Sequence, residues 1–453
     1  MADDEYFGKE FNNPVQDLDT KWQSIQLKYI SQINPESVTG DEPNEWEVEY
    51  VDISSVNNRG AIEDIKRMKF DEAPSRAKRL VQHGDIIVST VRTYLKAIAY
   101  VRNPNSNLIV STGFAVIRPN ESINPEFLWR VLQADPFIDW IVANSEGVSY
   151  PAIKPSRLGD LEIPCPPIKE QNAIVSFLDQ KTSSIETLID KNKKLITYLE
   201  ERKEAVITVN TTESKTDEKI RSVSKVQWYD SIPSGWKIIR LKHIIRDLEQ
   251  GWSPQCNDVS SGPNKWGVLK AGCVNNMCFK PKENKELPNN LEPKSELEVK
   301  QGDVLISRAN TRELVGSCAQ VKNPISKLLL CDKLYRIHLN ESICKPEYFV
   351  YIMNSTPVRE QIELSASGAS QSMKNISQKS LKDIWVPIPP IDDQKNIISN
   401  LNNEVSQLRS LKESINKSIK LLQEKRQTVV TKAVTGQLDL TDWQSKDNSI
   451  SDL

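Results

Sequence analysis

Catalysis needs reactive side chains gathered at workable spacing, and few residues of this chain meet that condition. The seven cysteines, Cys165, Cys256, Cys273, Cys278, Cys318, Cys331 and Cys344, are an odd number at irregular intervals. Cys273 and Cys278 form the nearest pair, and no second pair at zinc-ligand spacing follows. His83, His243 and His338 are the only imidazoles, so the sequence predicts no metal site and reduced, idle thiols. Carboxylates are abundant but fall in solvated runs such as Asp3-Asp4-Glu5 and Glu200-Glu201. There is no GxxxxGK[ST] phosphate loop and no Gly-rich cofactor turn after a strand. Asn103-Pro104 and Asn323-Pro324 read as turns, not as the Asn/Asp-Pro-Pro-aromatic string of adenine methylation. The expectation is a chain with no catalytic residue of its own.

What remains suits recognition by hydrogen bonds. An apolar strand twice runs into a polar, cationic loop: once at Ser89, Thr90, Arg92, Tyr94 and Lys96, and again at Arg308, Asn310, Thr311 and Arg312. Two further loops carry Ser149, Tyr150 and Lys154, and Ser370, Gln371 and Lys374, each beside a glycine that permits close backbone approach. Such side chains bond base edges and phosphates where a loop meets a duplex, so these are the residues that would contact DNA if the chain binds it. Asn57-Asn58-Arg59 and Asn275-Asn276 are weaker candidates, because Asn-Asn is first a turn former. Trp22 and Trp236 are expected in the core.

The chain must fold to position these loops, and its 453 residues suffice for two or three domains. With 38% hydrophobic and 26% charged residues it reads as an ordinary globular protein. No apolar run approaches the roughly 18 residues of a membrane span, and the acidic opening MADDEYFGKEFNNP is unlike a signal peptide. A cytoplasmic protein is expected. A net charge of −2 excludes a strongly basic, freestanding, non-specific nucleic-acid binder.

The chain is written twice. Trp22-Gln-Ser-Ile-Gln-Leu27 returns as Trp236-Lys-Ile-Ile-Arg-Leu241, and Gly84-Asp85-Ile-Ile-Val-Ser89 returns as Gly302-Asp303-Val-Leu-Ile-Ser307. Asn120-Glu121-Ser122-Ile123 matches Asn340-Glu341-Ser342-Ile343. The closing passage Pro164-Cys-Pro166-Pro167-Ile168-Lys-Glu-Gln171 answers Pro387-Ile-Pro389-Pro390-Ile391-Asp-Asp-Gln394. The offset drifts from 214 (Trp22 to Trp236) to 223 (Gln171 to Gln394), as loop insertions in a tandem duplication produce.

Each copy is β-rich first and helical last. The Gly-Asp turns lead into buried strands; Val110–Arg118 and Leu329–Ile337 each read as one further strand. Short helices follow at Pro125–Leu132 and Pro346–Met353, each with Pro in its first turn. Beyond the prolines a long helix begins. Leu178, Ile185, Leu188, Leu195 and Leu199 keep heptad spacing in the first, with Lys181 and Asn192 as polar members. Leu401, Leu408, Leu411, Ile415 and Leu422 do so in the second, with Glu404 and Ser418 interrupting. The stripe predicts coiled-coil pairing. The second helix is also cationic (Arg409, Lys412, Lys417, Lys420, Lys425, Arg426, Lys432), facing DNA, an acidic partner or solvent.

At these residues the chain resembles the specificity subunits of type I restriction-modification systems. The resemblance covers nearly the whole chain. It rests on the duplicated prolines before Ile168-Lys-Glu-Gln171, on Ile232-Pro-Ser-Gly-Trp236-Lys-Ile-Ile-Arg-Leu241, and on the helix end Lys432-Ala-Val-Thr-Gly436-Gln-Leu-Asp439. The second helix opens with Asp392-Asp393-Gln394 where Glu-Gln is usual. The implied fold is α+β: two tandem β-rich target recognition domains, each followed by a long helix. The two helices would pair as an antiparallel coiled coil with pseudo-two-fold symmetry. The expected segments are domain 1 at 1–167, its helix at 168–209, a linker at 210–226, domain 2 at 227–390, its helix at 391–436 and a flexible tail at 437–453.

The resemblance further implies that each domain reads one half of an asymmetric, split site on double-stranded DNA. From Ile174 to Thr208 a helix is roughly 50 Å long, somewhat more than one DNA turn of about 34–36 Å, so the helices are expected to act as a ruler. Two modification subunits would dock on them and methylate adenine with S-adenosylmethionine, and restriction subunits could join. This chain would bind no cofactor itself. A specificity subunit of a related two-subunit restriction system would look the same. A tandem coiled-coil scaffold without a DNA role is the alternative of a different class.

Overall fold

The computed structural model describes residues 14–15, 22–39, 42–43, 45–57, 59–147, 150–213, 221–223, 226–323, 325–368, 373–438, 440 and 443. Contacts divide the chain into two compact units, Met1–Asn192 with Lys417–Leu453, and Lys193–Asn416. The division falls inside the two long helices, so each unit combines one β-rich domain with a part of both helices.

In the first unit Gly84, at φ 92°, turns the chain into the strand Ile86–Ser89. All four residues of that strand are buried, because its sheet is covered on both faces. The sheet runs Ser31–Ile33, Phe114–Pro119, Ile86–Ser89, Ile98–Tyr100 and is antiparallel throughout. Ile86, Val88, Ala115 and Ile117 pack with residues of the helices Pro125–Leu132 and Asp135–Ala143. Ile87, Ala99 and Val116 join Val51 and Val110 of a second sheet. That sheet runs Lys66–Lys69, Glu47–Val51, Leu108–Ser111, Ala77–Leu80, with its middle pair parallel. Asn124 caps Pro125–Leu132 by accepting from the amides of Glu126 and Phe127.

The second unit repeats this plan. Gly302, at φ 95°, delivers Val304–Ser307 into a sheet ordered Ile245–Gln250, Leu334–Leu339, Val304–Ser307, Cys318–Gln320. Beside it lies a sheet of three strands, Asn284–Glu286, Gly267–Leu269 and Leu328–Leu329, again with one parallel pair. The helices Pro346–Ile352 and Thr356–Ser365 follow.

The runs expected as single strands are each two. Leu108–Ser111 and Phe114–Pro119 lie in different sheets, and so do Leu328–Leu329 and Leu334–Leu339. The chain crosses between sheets at Gly113, where an added Cβ would sit 2.7 Å from Ile53 Cδ1. Alternation along a strand carries no mark of such a crossing.

The aspartate of each Gly-Asp pair locks a central strand. Asp85, fully buried, accepts from the Gln82 amide at 2.9 Å and grips Arg118 through Nε and Nη2, both at 2.9 Å. Asp303 accepts from the Lys300 amide at 2.9 Å and from Arg336 Nη1 at 3.2 Å.

A buried glutamine fastens each long helix to its domain. Gln171 Oε1 accepts from the Asn124 amide at 2.7 Å while Nε2 donates to Pro166 O at 2.8 Å. Gln394 Oε1 accepts from the Lys345 amide at 2.8 Å, and Nε2 donates to Ile343 O and Pro389 O at 2.8 and 2.9 Å. One turn or two further on, Arg130 pairs with Asp179 at 2.6 Å in the first unit. At the matching place in the second, Tyr351 donates to Asn402 at 2.8 Å.

The long helices span Ile168–Thr212 and Ile391–Val434. Within each unit their segments run antiparallel. In the first, Glu186 pairs with Arg426 at 3.1 Å while Ile174 and Leu178 share a core with Val430, Ala433 and Val434. In the second, Glu200 pairs with Lys412 at 2.6 Å while Val206 and Ile207 pack with Leu401 and Val405. Of the expected seam residues, Leu178, Ile185, Leu199, Leu401 and Ile415 are buried, and Leu408 and Leu422 are half-buried. Leu188, Leu195 and Leu411 are not in the seam; they are 50, 42 and 47% exposed. The buried stripe passes instead through Thr182 and Ile189, the residues that follow the expected members Lys181 and Leu188. Beside the stripe, Arg426 and Lys412, half-buried, pair with Glu186 and Glu200.

Two segment boundaries also differ from expectation. The first helix continues through Thr212, and Arg221–Val223 pairs with Ser231–Pro233, so the expected linker at 210–226 is not structureless. The start of the expected tail is packed: Leu440 is buried, Leu438 and Trp443 rest on the first unit's core, and Lys181 lies 5.7 Å from the Trp443 ring. Its last residues lie outside those described.

Candidate nucleic-acid interface

In the first unit two loops are joined by backbone pairing. Val91 bridges Ala152, the Arg92 amide donates to Pro151 O at 2.8 Å, and the Ile153 amide donates to Thr90 O at 2.9 Å. The second loop is a hairpin closed by the Glu146–Ala152 bridge and turned at Gly147, φ 109°. A side chain at Gly147 would be strained there. Beneath the surface Thr93 and Ser145 share a hydrogen bond of 2.9 Å.

The expected contact residues separate by exposure. Ser89 and Thr90 face inward, bonding Val91 O at 2.6 Å and Gly113 O at 2.9 Å. Lys96 pairs with Asp135 at 3.1 Å. Arg92 and Lys154 are exposed, as are Tyr94 (52%) and Tyr150 (61%). The Arg92 guanidinium lies 4.6 Å from the Tyr150 ring centre. Ser149 lies outside the described residues.

The second unit builds the same junction. Ala309–Asn310 pairs with Lys374–Asn375, Ser367 bridges Asn375, and the Ile376 amide donates to Arg308 O at 2.9 Å. Gly368, at φ 143°, turns the hairpin where a Cβ would be 2.6 Å from Met373 O. Here the expected readers are largely engaged within the unit. Asn310 Oδ1 accepts from the Thr311 amide at 2.9 Å, and its Nδ2 donates to Ser307 Oγ at 3.3 Å and Asn275 Oδ1 at 3.5 Å. Arg308 donates to Asp332 O at 3.3 Å, Arg312 pairs with Glu363 at 3.2 Å, and Lys374 donates to Gly368 O at 2.7 Å. Burial raises the Tyr335 hydroxyl, and the neighbouring Arg308 charge draws it back in part. Ser370 and Gln371 lie outside the described residues.

Sequence reading missed Leu95 (44% exposed) and Met373 (44% exposed), apolar residues displayed beside the polar candidates. It ranked Asn275 low, yet that residue brings a third loop, Ala271–Met277, to the second junction. Asn276 and Met277 hold φ 62° and 57° there.

Among the described residues, Asp247, Glu249 and His338 offer ligand atoms within 4.8 Å of one another. Arg336 already bonds Glu249 at 2.5 Å, which sets a cation where a metal would need a free carboxylate. The cysteines are free. Burial pushes Cys165 to about 11 and Cys331 to about 12, and raises Cys273, Cys318 and Cys344 as well. At pH 8 these thiols are overwhelmingly protonated, and the thiolate is the nucleophile. Iodoacetamide is therefore expected to label Cys278 before any of these five, as peptide mass spectrometry would show. Early labelling of Cys318 in the folded protein would contradict its burial.

The family profile described as type I restriction modification DNA specificity domain matches residues 19–197 and again 233–421. The chain belongs to that family. The two matches coincide with the two copies read from the repeat, so this member carries the DNA specificity domain twice. The specificity subunit of the type I restriction enzyme EcoEI of Escherichia coli is 34% identical over 44% of this chain and 34% of its own length. The EcoKI specificity subunit of Escherichia coli strain K12 is 25% identical over 73% of this chain and 69% of its own. The chain thus spans about a third of the first relative and two thirds of the second. A solved chain concerned with complex assembly and conformational transition of the type I R-M system superposes with TM-score 0.67 at 24% identity, covering 93% of this chain and 99% of that one. It supports the DNA specificity domain fold. No helix among the described residues is long and apolar enough to cross a membrane.

Proposed function

We propose that this chain is the sequence-reading subunit of a type I restriction-modification complex, each DNA specificity domain reading one half of a bipartite, asymmetric site. The observation that carries this is the duplicated junction: hydrogen bonds Ile153 to Thr90 and Ile376 to Arg308 are the same bond in the two copies. Around a common framework the displayed side chains differ, Arg92, Tyr94 and Tyr150 against Arg312 and Met373. A shared scaffold with unlike surfaces is what two readers of unlike half-sites require.

Chemistry then belongs to partners. Two methyltransferase subunits, holding S-adenosylmethionine, dock on the long helices, and restriction subunits join them. Exposed apolar residues on the helices support a docking role: Leu188 and Leu421 in one unit, Leu195, Tyr198 and Leu411 in the other. The helices set the spacing between half-sites.

The test is single-molecule methylation sequencing of DNA from cells expressing the chain with its neighbouring methyltransferase gene. A split motif with methyladenine on both strands, lost when this gene is deleted, is the expected result. An unchanged methylome beside an active methyltransferase would refute the proposal and favour a scaffold without a DNA role.

A further inference from the structure

Within the first junction Arg92 and Lys154 are the exposed cations, and of the two only Arg92 is stacked on an aromatic ring. Lys96 is paired with Asp135, and in the second unit Arg308, Arg312 and Lys374 each bond an acceptor of their own unit. Among the described residues no hydrogen bond or ion pair reaches the Arg92 guanidinium; it rests on the Tyr150 ring at 4.6 Å. Stacking uses the π face of a guanidinium and leaves its in-plane N–H donors free. Its backbone is fixed as well: Arg92 holds φ 54°, donates to Pro151 O, and neighbours the 3₁₀ turn Thr93–Leu95. The hairpin that presents Tyr150 is locked by the bridge across Gly147.

From this we infer that Arg92, oriented by Tyr150, reads a guanine in the half-site of the first domain. The inference rests on the DNA-reading proposal above. The fork of two coplanar donors matches guanine O6 and N7 in the major groove, the commonest specific contact of arginine. An orientation fixed before binding loses less side-chain freedom on contact. A phosphate also accepts a fork, but the surroundings favour a base edge. Tyr94, Leu95 and Tyr150 are exposed on the same two loops, an apolar display suited to the groove floor. The adjacent cation Lys96 is neutralised by Asp135, which leaves Lys154 as the unstacked cation of this junction to meet a phosphate.

The test uses the assembled complex of this chain with its methyltransferase and compares methylation motifs of variants. Arg92→Asn keeps a residue that tolerates positive φ, and Tyr150→Leu removes the ring while Tyr150→Phe keeps it. Expected for Arg92→Asn is loss of preference at one guanine of one half-site, on the order of 10- to 100-fold, with the other half-site unchanged. The intact half-site also reports that the variant is folded. Tyr150→Leu should relax the same position more weakly, and Tyr150→Phe should not. Unaltered protein should lose a similar factor on a duplex carrying 7-deazaguanine there, a readout that needs no variant. A uniform fall in methylation without change of motif would make Arg92 a phosphate contact and overturn the inference while leaving the DNA-reading proposal standing. An unchanged motif, or a relaxed position that is not guanine, would overturn it too. Absence of any split motif with the unaltered chain would overturn both.

Discussion

Replacing Asp85 by alanine is expected to destabilise the first unit by about 3–5 kcal/mol, the cost of leaving a buried charge without its partner. Arg118 is 16% exposed at its side chain, and Asp85 supplies both of its parallel bonds. Its other carboxylate neighbour, Glu36, is 54% exposed and offers less in return. The same substitution also orphans the Gln82 amide. Asp303→Ala should cost only about 1–2 kcal/mol, although it alters the matching residue. Arg336 keeps Glu249 and the carbonyls of Glu298 and Glu296 at 2.5 to 3.0 Å. Urea unfolding followed by tryptophan fluorescence measures both, since Trp129 and Trp140 report the first core and Trp236 lies in the second unit. Equal costs for the two aspartates would show that Arg118 finds another partner.

Gln394→Ala should cost about 2–4 kcal/mol, because one amide and two carbonyls lose their partner in a site fully closed to water. Gln171→Ala orphans one amide and one carbonyl and should cost about 1–3 kcal/mol. The functional effect should be one-sided. Lys345 begins the helix Pro346–Ile352, so losing Gln394 loosens the second domain from its long helix and weakens reading of one half-site. Methylation at half-site variants, with urea midpoints alongside, checks this. Equal loss at both half-sites would deny that the glutamine acts within its own unit.

The arrangement that makes Gln171 and Gln394 comparable was legible in the sequence, because duplication preserves order, spacing and the prolines ahead of each helix. The Gly-Asp strands were legible for the same reason, and their run of three consecutive apolar residues marks a sheet covered on both faces. Other features left no local trace. Leu188 and Leu195 hold heptad spacing, yet the seam follows Thr182 and Ile189, since pairing is set by the whole stripe and not by its most apolar members. Of the contact residues, type and loop position were readable, but occupancy was not. Asn310 looks like a reader until Asn275, 35 residues earlier, takes up its amide. Arg92 differs from Arg312 only through what tertiary structure places beside each, a tyrosine ring in one case and Glu363 in the other.

The two units also differ in when they can be completed. The second is one continuous stretch, Lys193–Asn416, whereas the first needs Lys417–Leu453 as well as Met1–Asn192. Val430, Ala433, Val434 and Leu440 share a core with Ile174 and Leu178. At about 5–20 residues per second, translation reaches residue 417 on the order of 10–45 s after residue 192. Throughout that interval the nascent first unit holds an apolar surface that nothing yet made can cover, while the second unit can close as it emerges. A ribosome that stalls late therefore releases a chain whose second reader is finished and whose first is left open to chaperones and proteases.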